Sequence, residues 1–74
     1  MCAADIADEQ KRLQEADRHI SEWRKLIGRQ KRRISDLQRE GHDAVGSINL
    51  LCELERSLRS MHDERGVIAR LLNI

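Results

Sequence analysis

The sequence predicts an all-α fold: an antiparallel two-helix coiled-coil hairpin that pairs with a second copy into a dimeric four-helix bundle. Three observations carry that expectation. Ile6, Leu13, Ile20, Ile27 and Ile34 recur every seventh residue, a spacing that becomes a continuous apolar seam when a long helix lies against another helix. Gly41 interrupts the chain near its midpoint and Asp43 follows two residues later, placing helix-stop and helix-start chemistry side by side. Charged residues make up 36%, proline is absent and Trp23 is the sole aromatic, which describes a surface-rich rod rather than a globular core.

Helix one is expected over about residues 4–40. With the isoleucine series at heptad position a, position d falls on Glu9, Ala16, Trp23, Gln30 and Leu37, so the seam is apolar from Leu13 to Leu37 except at Gln30. The turn is expected at about residues 41–42, because glycine accepts the left-handed backbone that closes a helix. Helix two follows over about residues 43–72 with Asp43 as its cap. Its a positions are Ala44, Leu51, Leu58, Arg65 and Leu72, and its d positions Ser47, Leu54, Met61 and Ile68.

The two seams agree with each other. In an antiparallel hairpin an a residue of one helix shares a layer with a d residue of the other. Ile34 with Ser47, Gln30 with Leu51, Ile27 with Leu54 and Trp23 with Leu58 have residue numbers that add to one common total. Ile20 with Met61, Ala16 with Arg65, Leu13 with Ile68 and Glu9 with Leu72 share it. That total puts the fold-back between Glu40 and Gly41, where the turn chemistry had placed it. A single unbroken helix would instead carry Gly41 and Gly46 at a cost of ~1 kcal/mol each relative to alanine.

The exceptions within the seam have physical readings. Gln30 is expected to trade stability for register or partner number. Arg65 should lay its stem over Ala16 and turn its head to solvent or Asp17. Met61 reads as core filler, and Trp23 as the largest packing residue, its indole N–H directed to the wet edge.

A chain of 74 residues is one domain at most and buries little surface by itself. Beside the seam runs a second apolar strip at g and c positions, Leu26, Leu50, Val67, Leu71 and Ile74, with small Gly46 and Ser57 between them. These residues are the expected self-association surface, closing a four-helix bundle in a homodimer.

Several function classes lose support. No glycine-rich phosphate loop is present, and a two-helix rod offers carboxylates only on wet faces, so no enzyme activity is expected. Asp5, Asp8, Glu9 and Glu15 suit the positive start of helix one. His19 and His62 fall at the same height but on opposite flanks, at g and e, with Glu64 and Asp17 as nearer charge partners. His42 lies in the turn and Cys52 at b, so neither metal nor cofactor is expected within one chain. Cys2 and Cys52 lack metal-motif spacing and read as reduced thiols. No apolar run reaches membrane length and no leader is visible, so the expectation is a soluble cytoplasmic protein with no membrane partner.

One surface has a direction. Arg24, Lys25, Arg29, Lys31, Arg32 and Arg33 place six cations in ten residues without an acid, over outward e, f, c and g positions. They read as a solvated face answered by Glu22, Asp36, Glu53 and Glu55, or as phosphate contacts of a sequence-nonspecific nucleic-acid adaptor. The near-balance of 14 basic and 13 acidic residues favours the solvated face. A small self-associating protein-protein interaction or scaffolding module is therefore the leading functional expectation, with the nucleic-acid adaptor as its alternative.

Arg18-His19-Ile20, then Gln30 with Arg33-Ile34 and Leu37, Gly41-His42-Asp43, and Leu50-Leu51 with Leu58 and Arg65 resemble a family of short uncharacterised alphaproteobacterial helical-hairpin proteins. The similarity spans most of the chain. It departs at Val45-Gly46-Ser47, where alanine and glutamate are more usual in the family. The resemblance implies a helical hairpin and carries no activity with it.

Overall fold

The computed structural model describes the backbone of residues 3–73 and the side chains of residues 6–73. Two helices, α1 (Ala3–Arg39) and α2 (Val45–Leu72), pack against each other as a hairpin. The molecule measures 58 × 15 × 14 Å, and its long axis matches a helix of 37 residues at about 1.5 Å rise per residue. Its radius of gyration is 17.1 Å, against about 11 Å for a globule of this length. Such a rod has a seam in place of a core.

The seven-residue spacing decides which side chains enter that seam. Each a and d residue from Glu9 to Leu72 is buried or half-buried, and among the other described positions only Leu26, Gly28, Gly66 and Ala69 are. The most buried are Ile20, Ile27, Ile34, Ala44 and Leu54, at 6–9% exposure, so the tightest packing lies between the middle of the rod and the turn. Ile6 continues the isoleucine series but is 41% exposed. Its layer falls beyond Leu72, the last residue of α2, so among the described residues no helix faces it.

The turn is longer than expected. It occupies residues 40–44, and α2 begins at Val45 rather than about residue 43. Gly41 adopts φ 77°, His42 N–H donates to the Leu37 carbonyl at 2.9 Å, and Gly41 N–H donates to the Gln38 carbonyl at 3.2 Å. These two bonds satisfy carbonyls that the end of α1 would otherwise leave open. Asp43 does act at the start of α2, but through an Asx turn: its Oδ1 accepts from Val45 N–H at 3.0 Å. That arrangement pushes the first helical residue two positions on. Ala44 then serves as the N-cap residue at φ −107°, ψ 6°, its carbonyl accepting from Ile48 N–H at 2.9 Å, and remains buried.

Glycine is required at one of these positions and dispensable elsewhere. A Cβ on Gly41 would meet nothing within 4 Å, so Gly41→Ala suffers only from the left-handed backbone, by about 1–2 kcal/mol. Gly66 lies within α2 with equally open space and an ordinary helical φ, so Gly66→Ala should stabilise by about 0.5–1 kcal/mol. Urea midpoints measured at one protein concentration should therefore move in opposite directions. A rise for Gly41→Ala would contradict the turn.

Polar side chains pin the two helices in register. Trp23 Nε1 donates to the Leu54 carbonyl at 2.9 Å, across the interface instead of out to the wet edge expected from sequence. Gln30 Nε2 donates to the Ser47 carbonyl at 2.9 Å. A helical carbonyl points toward the residue four further on, so these acceptors lie between the levels of Leu54 and Leu58 and of Ser47 and Leu51. Those levels bracket the layers in which the heptads pair Trp23 with Leu58 and Gln30 with Leu51. Towards the open end, Arg65 Nε donates to Asp17 Oδ1, the partner its seam position had suggested.

Candidate functional site

With the seam filled, chemistry is left to the outer surfaces and to shallow grooves along its two flanks. The e-side flank carries a groove of about 640 Å³ walled by Asp17, Arg24, Lys25, His62 and Arg65. A second, of about 510 Å³, shares Arg24 and adds Lys31, Glu55 and Arg59 over a floor of Ile27, Gly28 and Leu58. Cations outnumber acids in both. The g-side flank holds a groove of about 190 Å³ in which His19, Glu64 and Met61 meet.

The histidines are placed differently from their expected pairings. His62 does share a groove with Asp17, but Arg65 already occupies that carboxylate, and an always-charged guanidinium outcompetes an imidazole for it. His19 and Glu64 line one groove without closing to an ion pair. His42 instead lies 3.7 Å from Glu40 in the turn. Among the described residues no group of three or more His, Cys, Asp or Glu side chains converges. Cys52 is a free, exposed thiol, while Cys2 lies outside the described residues.

The six cations of the basic stretch are all exposed. Among the described residues the ion pairs within 4.0 Å are Arg12 with Glu9, Arg39 with Asp36, His42 with Glu40, and Arg65 with Asp17. None involves Arg24, Lys25, Arg29, Lys31, Arg32 or Arg33. The acids expected to answer them do not. Asp36 turns to Arg39, and Glu55 stands in the groove with Arg24, Lys31 and Arg59 without an ion pair. The cause is a lattice along the outer face of α1. Position f is basic in each heptad, at Lys11, Arg18, Lys25, Arg32 and Arg39, and position c is acidic at Asp8, Glu15, Glu22 and Asp36. Arg29 takes the c position between them, so local alternation of charge fails there.

That basic line and the contribution of Arg59 from α2 escape a scan of a short window. Reading heptad letters over the whole of α1 finds the line, whereas Arg59 enters only once the helices are docked.

The expected self-association residues fall into place unevenly. Leu50, Val67 and Leu71 are 46%, 49% and 41% exposed, Leu26 is half-buried, and Ile74 lies outside the described residues. Val45 and Ile48, 60% and 38% exposed, occupy b and e positions on the other flank and were not part of the expected strip. Their heptad letters already marked them as outward. No described helix is long and apolar enough to cross a membrane. The chain matches no family model, no curated protein and no solved structure.

Proposed function

We propose that this protein is a small helical interaction or scaffolding module that works by self-association, two hairpins pairing through the flank bearing Leu26, Leu50, Val67 and Leu71. Its surface area carries the proposal. A compact monomer of 8.6 kDa would expose about 4,700 Å², whereas this hairpin exposes 5848 Å². The excess, about 1,100 Å², exceeds the roughly 800 Å² that each partner contributes to a standard stable interface. Exposed leucine and valine on one flank indicate where it would be covered, and among the described residues no side chain is fully buried. A second copy supplies the missing layer with the same surface, as two-fold symmetry requires. The proposed role is binding rather than catalysis, in the cytoplasm. Kinship with the alphaproteobacterial hairpin family belongs to the same proposal and rests on the motifs quoted above.

Sedimentation equilibrium in the tens of micromolar should give a mass twice 8.6 kDa. The double variant Leu50→Ser/Leu71→Ser should return it to the monomer while retaining helical circular dichroism. A wild-type monomer throughout that range would overturn the reading.

A further inference from the structure

We infer that the outer face of α1 around Gly28 is a docking surface for the phosphate backbone of double-stranded DNA, bound without regard to sequence. The first support is electrostatic. Arg24, Lys25, Arg29, Lys31, Arg32 and Arg33 are exposed and, among the described residues, have no carboxylate within 4.0 Å. The formal net charge of +1 conceals a segregation: outside these six, eight basic residues face thirteen acidic ones. Arg59 of α2 joins Arg24 and Lys31 across a common groove.

The distribution of the charges selects the ligand. At about 100° per residue the e, f, c and g positions spread the six cations over about 200° of the helix circumference within roughly 14 Å of its length. A flat anionic surface reaches only one side of such a collar. The major groove of B-form DNA, about 12 Å wide with phosphates along both rims, admits a helix and meets cations on either side of it. The deep, narrow major groove of duplex RNA does not. Gly28, at the centre of the collar, has nothing within 4 Å of where a Cβ would stand, so the helix surface there is low.

Other ligands lack the groups they need. A membrane-surface helix inserts its apolar face, but that face of α1 is spent on α2. Single strands are held by stacking on aromatic rings, and Trp23, the only aromatic, is half-buried and bonded to Leu54. Gln30, whose amide suits an adenine edge, is bonded to Ser47. Charge remains, and charge alone reads phosphate. The collar centres on the side of α1 turned away from α2. Arg33 shares position g with Leu26 of the self-association flank, whereas Leu50, Val67 and Leu71 belong to α2, so self-association leaves the e and f cations Arg24, Lys25, Lys31 and Arg32 open.

The test is fluorescence anisotropy with a labelled 20-base-pair duplex across a salt series. Six phosphate contacts predict a slope of log K against log salt of about −5 per bound hairpin. Arg29→Gln/Arg32→Gln should bring that slope to about −3.5, with unchanged circular dichroism. Arg56→Gln/Arg70→Gln, removing equal charge from α2, should leave it alone. Leu50→Ser/Leu71→Ser should also retain the slope per hairpin, so failure of the dimer and failure of DNA binding are read separately. Absence of salt-dependent binding at 50 mM salt would overturn the inference. So would equal losses in the two arginine variants, or equal or tighter binding of duplex RNA, single-stranded DNA or phosphatidylserine vesicles.

Discussion

Trp23→Ala is expected to lower the protein's stability by about 3–5 kcal/mol. A domain of 74 residues has a total stability of about 4–11 kcal/mol, and truncating a large aromatic in a packed interface costs about 3–5 kcal/mol. Trp23 is half-buried, which argues for the lower end, but it also contributes the N–H bonded to Leu54 across the helices. Few other groups can compensate, since among the described residues only five are at or below 9% exposure. Trp23→Phe keeps a smaller aromatic ring and loses the donor, so its expected cost lies above the roughly 1 kcal/mol of the hydrogen bond and below that of alanine. Urea titrations followed by far-UV circular dichroism, at one fixed protein concentration because self-association adds to stability, should rank wild type, Phe, then Ala. A wild-type midpoint for Trp23→Ala would mean that the helices are held together elsewhere.

Ile27→Ala has the second large expected effect, about 2–4 kcal/mol destabilising, because Ile27 is 7% exposed and the truncation leaves a void that neighbouring helices fill only partly. Its informative control is Ile6→Ala. Both isoleucines occupy heptad position a, but Ile6 is 41% exposed, and a change there should stay within about 0.5 kcal/mol. Equal costs would show that a second copy, or residues beyond those described, covers Ile6. A negligible cost at Ile27 would contradict the seam itself.

The contrast between these two isoleucines shows how far the sequence could be read. Membership of the seam was legible because side chains seven apart return to the same face of a helix, whichever helix it meets. Glu9, Gln30 and Arg65 were assigned to it on spacing alone, and all three are shielded. Where the seam stops was less legible, since that depends on how far α2 reaches alongside α1. Gly41 announced the turn through its missing Cβ. The length of the turn escaped, because Asp43 had two uses, as an N-cap or in an Asx turn, and the closing geometry selected the second.

The candidate surfaces divide in the same way. Leu50, Val67 and Leu71 were visible as an outward apolar strip from their heptad letters, and so, in principle, were Val45 and Ile48. The six cations were visible as a cluster. Their lack of acidic partners was not, because Asp36 stands four residues from Arg32 and three from Arg39 and the sequence allows either pairing. The structure takes Arg39.

Sequence by itself determined two helices, the face each turns inward and the place where the chain folds back, since these follow from the helical period and from one residue's backbone freedom. Tertiary structure alone sent Trp23 to Leu54 and Gln30 to Ser47, and for Arg65 it chose Asp17 over solvent. Those choices turn on differences of a few ångströms between competing partners on two docked helices, and a seven-residue period contains no such distances.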